Sequence, residues 1–190
     1  PWQGGQLLAP EAGGWPTLGP SALPHLPHEP APRALDADGL VRIREAFAAA
    51  ARRAARVGID CIELHGAHGY LLHQFLSPLS NQRDDAYGGS LENRIRFPLE
   101  VFDSVRAAFP AGKPVGMRIS ATDWKEGGNT GADAVEIADD HRDGKPRFLE
   151  RPKPAIHGNE RNRRILTEFG VCPVGQAFRI GERTNEDEDQ

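Results

Sequence analysis

The sequence predicts an α/β chain with parallel strands, and three observations carry that expectation. Two segments hold apolar residues at helical spacing, each leads within a few residues into a short β-type run, and titratable residues gather just beyond the first of those runs. Helix, strand, helix, strand in that order is the repeat of a parallel barrel or open sheet.

Residues 1–33 show no hydrophobic period and are punctuated throughout by glycine, proline and histidine, which predicts an irregular loop. Asp36 suits the N-cap of the helix that follows. Leu40, Ile43, Phe47, Ala50, Ala54 and Val57 recur at spacings of three and four and mark its apolar face. Gly58 is placed to end that helix in a left-handed conformation. Ile59 to His65 then reads as a strand, whose alternation puts Glu63 and His65 on one face and Ile62 and Leu64 on the other. Leu91, Ile95, Leu99, Phe102 and Val105 form a second helical stripe, in which Pro98 marks either a kink or the real start. Pro110 to Lys113 makes a turn, and Val115 to Ser120 is the second strand. Further on, Ala132 to Ala138 reads as a short helix or strand. Residues 142–164 are densely charged, and Glu186-Asp187-Glu188-Asp189 is an acidic end, so most of this tail is expected to be disordered.

Composition narrows the function classes. A formal net charge of −4 argues against a nucleic-acid-binding surface. Cys61 and Cys172 are far apart and form no CxxC, which fits a reduced, cytoplasmic protein without a disulfide framework. No apolar run reaches the roughly 18 residues of a membrane span, and no signal peptide is expected.

The chemistry-bearing stretch is His65-Gly66-Ala67-His68-Gly69-Tyr70, two imidazoles and a phenol at the C-terminal end of a strand. That is where α/β barrels and open α/β sheets place their active groups. An isolated H-x-x-H is more often incidental, or one half of a metal site, so a metal-dependent hydrolase using His65, His68 and Glu63 stands as an alternative. Arg118 on an inward strand face needs a partner, and Glu63 on the neighbouring strand is one choice. His73, Asn81, Arg83, Arg94 and Arg96 read as structural, and Gly88-Gly89 as a turn. Trp124 is read as packing more readily than as the wall of a substrate pocket. His25, His28, His141 and His157 carry no ligand spacing.

A longer pattern surrounds these residues. His65-Gly-Ala-His68-Gly-Tyr70-Leu-Leu is followed by Ser77-Pro-Leu-Ser-Asn81-Gln-Arg83. Then come Tyr87-Gly-Gly-Ser-Leu-Glu-Asn-Arg94-Ile-Arg96-Phe97 and Pro114-Val-Gly-Met-Arg118-Ile-Ser120. This string resembles the old yellow enzyme family of FMN-dependent NAD(P)H:flavin oxidoreductases and ene-reductases, and within it the xenobiotic reductase-like subgroup. The resemblance is dense over residues 57–128. It implies a partial (β/α)8 TIM barrel holding about strands 4 and 5 with flanking helices, plus an irregular N-terminal loop and a C-terminal tail. The domains expected are residues 1–128, a partial oxidoreductase barrel, and residues 129–190, an unrelated tail.

The resemblance also implies FMN as cofactor, NAD(P)H as electron donor and a small α,β-unsaturated carbonyl compound as substrate. It leaves homo-oligomerisation of the parent enzyme open, while the charge and the absence of long apolar runs lead to the expectation of no nucleic-acid or membrane partner. Carried over residue by residue, His65 and His68 hydrogen-bond the substrate carbonyl, Tyr70 protonates the α-carbon and Arg118 faces the flavin ring. Hydride addition pushes negative charge onto the carbonyl oxygen, which two fixed N–H donors stabilise. A phenol is protonated at neutral pH and serves as the acid, and a guanidinium favours the reduced, anionic ring. A complete barrel takes roughly 250 residues, and two strands close none. The isolated chain is therefore expected to hold little FMN and to show no turnover.

Overall fold

The computed structural model describes residues 7–8 and 10–139, and the structural statements below concern these. The N-terminal segment is largely irregular, as expected. It also holds one turn of 3-10 helix and a two-residue parallel pairing of β1 (Leu18–Gly19) with β2 (Arg33–Ala34).

Helix α1 (Ala37–Arg56) begins where the Asp36 carboxylate accepts the Gly39 N–H at 2.7 Å. Just beyond its end, Gly58 turns the chain at φ 85°, a value glycine adopts without Cβ strain. Leu40, Ala48 and Ala51 are buried, with Ile43, Phe47 and Ala54 packed beside them, whereas Ala50 and Val57 are exposed. The expected face therefore holds for the first turns and then rotates. Positions 50 and 51 both satisfy helical spacing, and packing against the later helix α3 decides between them.

Strand β3 (Ile62–Gly66) pairs in parallel with β4 (Val115–Ile119), Ile62 opposite Val115 and His65 opposite Arg118. β3 starts at Ile62, not Ile59, because the Ile59 N–H still bonds back to the Ala54 carbonyl and so belongs to the end of α1. Leu64 and Val115 are buried under the helices. Glu63, His65 and Arg118 lie exposed on the opposite face, as the alternation predicts.

A short helix α2 (Leu71–Leu76) leads into the loop that carries Asn81 and Arg83. Helix α3 (Leu91–Ala108) is capped by the Ser90 hydroxyl, which accepts the Asn93 N–H at 3.3 Å. Pro98 is therefore internal, and it leaves the Arg94 carbonyl without its intrahelical donor. The helix is buried on two sides. Phe97, Val101, Phe102 and Val105 join the main core, where the Phe75 and Phe97 rings sit 4.4 Å apart. Ile95 and Leu99 pack with Leu76 and Ile137.

Ile137 belongs to helix α4 (Gly131–Ala138), which resolves the helix-or-strand alternative for that stretch. Thr130 and Asp133 form a reciprocal capping box at its start, and Ala134 and Ile137 are its buried face. The expected division at Gly128 thus falls inside packed structure. Asn129 is buried, donates to the Leu76 carbonyl at 3.1 Å and accepts from Arg94 at 3.2 Å. From residue 140 onward the expected tail, with its acidic end, lies outside the described residues. Among the described residues, no helix is long and apolar enough to cross a membrane.

Candidate active site

The C-terminal end of β3 is shaped by close approach and by a tight turn. A Cβ at Gly66 would lie 2.9 Å from the Arg118 carbonyl oxygen and 3.1 Å from the Met117 sulfur, so only glycine lets the two strands meet here. Ala67 is buried, and His68 then takes φ 59°, followed by Gly69 at 77°. A left-handed conformation is rare for a residue with a side chain. It is held by the His68 N–H donating to the Ser120 hydroxyl at 3.1 Å.

The turn folds the chain back over the strand end. The His65 ring comes to 5.1 Å from that of His68 and 5.0 Å from that of Tyr70. Tyr70 is the N-cap of α2 and is 60% exposed. The three residues singled out from sequence therefore converge on one solvent-facing spot. Arg118 lies beside His65 in register. Its Nε donates to Glu63 Oε1 at 2.8 Å, with the two side chains 51% and 37% exposed. The burial His65 does have lowers its pKa, the charges of His68 and Arg118 push the same way, and Glu63 opposes them. The shift favours the neutral ring, which presents one N–H donor.

Sequence reasoning missed the residues that hold this cluster from the β4 side. Asp123 accepts from His73 Nε2 at 2.9 Å, from the Ser77 hydroxyl at 2.7 Å and from the Asn129 N–H at 2.8 Å. The signal for Asp123 and Ser120 was available, since Ser120-Ala-Thr-Asp123 follows a strand end just as His65 to Tyr70 does. Trp124 is 73% exposed at φ 54°, so the packing reading does not hold for it. The structural reading of Asn81, Arg83, Arg94 and Arg96 holds: each donates to backbone carbonyls that brace the loop between α2 and α3.

Burial raises the pKa of Asp123, but the hydrogen bonds from His73, Ser77 and the Asn129 amide outweigh it and hold the group below its ordinary 3.8. A carboxylate depressed in the folded state stabilises that state above the unfolded pKa. The stabilisation is lost as pH falls through the folded value. Unfolding midpoints should therefore fall below about pH 5, and Asp123→Asn should flatten that slope. Urea titrations between neutral pH and about pH 3 measure it. An unchanged slope in the variant would count against the depressed carboxylate.

Parallel strands with helices packed on one face and a polar cluster at their C-terminal ends define an α/β protein with a strand-end site. The chain belongs to the NADH:flavin oxidoreductase / NADH oxidase family, whose sequence profile matches residues 16–163 and so continues past Gly128. The chain is 51% identical over 123 residues to an NADH:flavin oxidoreductase of Gibberella zeae, covering 63% of this chain and 30% of that protein. It is 52% identical over 110 residues to an NADPH dehydrogenase of Clostridium acetobutylicum, covering 58% of this chain and 32% of that one. The chain thus spans about a third of the length of these curated relatives. Among solved structures, morphinone reductase in complex with tetrahydroNAD superposes with a TM-score of 0.59 at 36% identity, over 67% of this chain and 40% of that one. 2-Naphthoyl-CoA reductase superposes with a TM-score of 0.62 at 35% identity, over 66% of this chain and 19% of that one. These findings bear out the old yellow enzyme resemblance read from the string between His65 and Ser120, and with it FMN and NAD(P)H as the family's redox pair.

Proposed function

We propose that this chain carries the substrate-activating and protonating part of an FMN-dependent NAD(P)H oxidoreductase that reduces the activated C=C bond of enones and enals. Its architecture would be a partial (β/α)8 barrel supplying about strands 4 and 5. The observation that carries the reading is the convergence of His65, His68 and Tyr70, with ring centres 5.1 and 5.0 Å from His65. These are two N–H donors and one weak acid on a single exposed spot.

Arg118 fits a flavin ring. Its Nε is satisfied by Glu63, and its two terminal nitrogens make no hydrogen bond among the described residues, so they would hold the ring's electron-rich edge. FMN, when bound, supplies the hydride that it has taken from NAD(P)H. His65 and His68 orient the substrate by donating to its carbonyl oxygen and stabilise the charge that builds there. Tyr70, exposed beside them, donates its phenolic proton to the α-carbon. Glu63 keeps the guanidinium in place on the strand face.

The test is NADPH consumption by the chain supplied with FMN, with and without 2-cyclohexenone. Tyr70→Phe should lower the enone-dependent rate by about 10²- to 10⁴-fold. Enone-dependent consumption by the unsubstituted chain would overturn the expectation of no turnover drawn from its two strands, and none would sink this reading for this molecule.

A second reading is that the chain carries this cluster without holding FMN firmly. It is favoured by the β3–β4 sheet, which among the described residues has two strands and so leaves a bound ring open to solvent. Under it, FMN is lost on desalting. Nothing favours the hydrolase alternative: among the described residues no three His, Cys, Asp or Glu side chains are grouped to hold a metal ion.

A further inference from the structure

We propose that Asp123 and His73 are positioning residues that fix the His68–Tyr70 segment of the site through a hydrogen-bond relay ending on the Gly69 peptide. The Gly69 N–H donates to His73 Nδ1 at 2.8 Å, and Gln74 Nε2 donates to the Gly69 carbonyl at 2.8 Å. Gly69 lies between His68 and Tyr70, and both its N–H and its carbonyl are held.

A backbone N–H only donates, so Nδ1 of His73 must be the bare nitrogen and the ring proton must sit on Nε2. Nε2 then donates to Asp123 Oδ1 at 2.9 Å. Asp123 is itself held at both oxygens. Its side chain is 4% exposed, and its second oxygen accepts from Ser77 and from the Asn129 amide. The carboxylate thus selects one tautomer of His73, and that tautomer is the one able to receive Gly69. The relay resembles an Asp–His pair, but it terminates on the backbone and does not reach a nucleophile or a metal. Its role is therefore geometric.

A rarely populated backbone conformation persists only where its surroundings over-determine it. His68, at φ 59°, has the Ser120 hydroxyl on its own N–H and this relay on the next. The relay also joins the loop after β4 to the turn after β3. The two strand ends that bear Arg118 and His65 are thereby tied together above the sheet as well as within it.

This role rests on the reading of His68 and Tyr70 as substrate-facing groups, and its test needs no turnover. Two variants split the two nitrogens of His73. In His73→Asn the amide oxygen replaces Nδ1 as acceptor for Gly69. In His73→Gln the amide nitrogen replaces Nε2 as donor to Asp123, and the Gly69 acceptor is lost. In the ¹⁵N-labelled full chain, NMR should report the Nε2–H tautomer for His73. Exchange of the Gly69 amide should be slow in the unsubstituted chain, at least tenfold faster in His73→Gln, and intermediate in His73→Asn, which keeps the Gly69 acceptor but loses the tie to Asp123. The nuclear Overhauser contact between the His65 and Tyr70 rings should weaken in His73→Asn and be lost in His73→Gln. An Nδ1–H tautomer, a His73→Gln chain with slow Gly69 exchange and the ring contact intact, or a His73→Asn chain indistinguishable from the unsubstituted one, would overturn the proposal. The tautomer is read on the unsubstituted chain, so it decides the matter even where a variant fails to fold. Enone reduction by that same sample reports separately on the oxidoreductase reading.

Discussion

Asn81→Asp should leave the chain largely unfolded at neutral pH. Asn81 is 3% exposed, and its amide nitrogen donates to the Phe75 carbonyl at 2.7 Å and to the Tyr87 carbonyl at 2.8 Å. Its oxygen accepts the Arg83 N–H at 3.2 Å. An aspartate of the same shape has no N–H. It removes both donors and sets a negative charge against two carbonyl oxygens away from water. Each buried acceptor stripped of its donor costs about 1–3 kcal/mol, and an uncompensated buried charge about 3–5 kcal/mol. Either is a large part of the roughly 5–15 kcal/mol that holds a domain folded. The carboxyl regains one O–H donor on protonation, so the variant should recover in part at mildly acidic pH. Circular dichroism during urea unfolding checks both statements. A midpoint within about 0.5 kcal/mol of the unsubstituted chain, as for an ordinary surface change, would show that Asn81 does not brace this loop.

Arg94→Leu is the second large effect, expected at about 2–4 kcal/mol. Arg94 is 8% exposed and spends its guanidinium on three partners, the Leu76 carbonyl at 2.8 Å, the Gly89 carbonyl at 2.7 Å and Asn129 Oδ1 at 3.2 Å. Burial lowers its pKa, and Asp133 and Asp123 counter that. Leucine fills the space but donates nothing, so the end of α2, the turn before α3 and the segment entering α4 lose their common tie. The loss should be local before it is global. Amide exchange in residues 131–138 should quicken more than in α1, because Asn129 links α4 to that tie. Equal quickening in both helices would mean that Arg94 contributes only to general stability.

The parts legible in the sequence are those whose cause is local. Asp36 and Gly58 bracket α1 because a cap and a left-handed terminus are properties of single residues. His65, His68 and Tyr70 come together because six residues and one turn suffice. The parts that were not legible depend on distant partners. The rotation of the buried face of α1 toward Ala51 is set by α3. Helix α2 is six residues long, too short to show a period. The contact of Asp123 with His73 spans 50 residues and exists only because β3 and β4 pair in parallel in one particular register. The Glu63–Arg118 pair lies between these cases. It was foreseeable as one of two partners for Arg118, and the register puts it in place while leaving the terminal nitrogens of the guanidinium open.

If the strand-end face bearing His65 and Arg118 is a flavin site, an equilibrium titration of FMN reveals it. Quenching of FMN fluorescence should be saturable with the unsubstituted chain, even if FMN is lost on desalting. The affinity should weaken at least tenfold in Arg118→Leu, whose side chain makes no contribution to the buried core. A featureless titration, or identical curves for the two chains, would contradict the account.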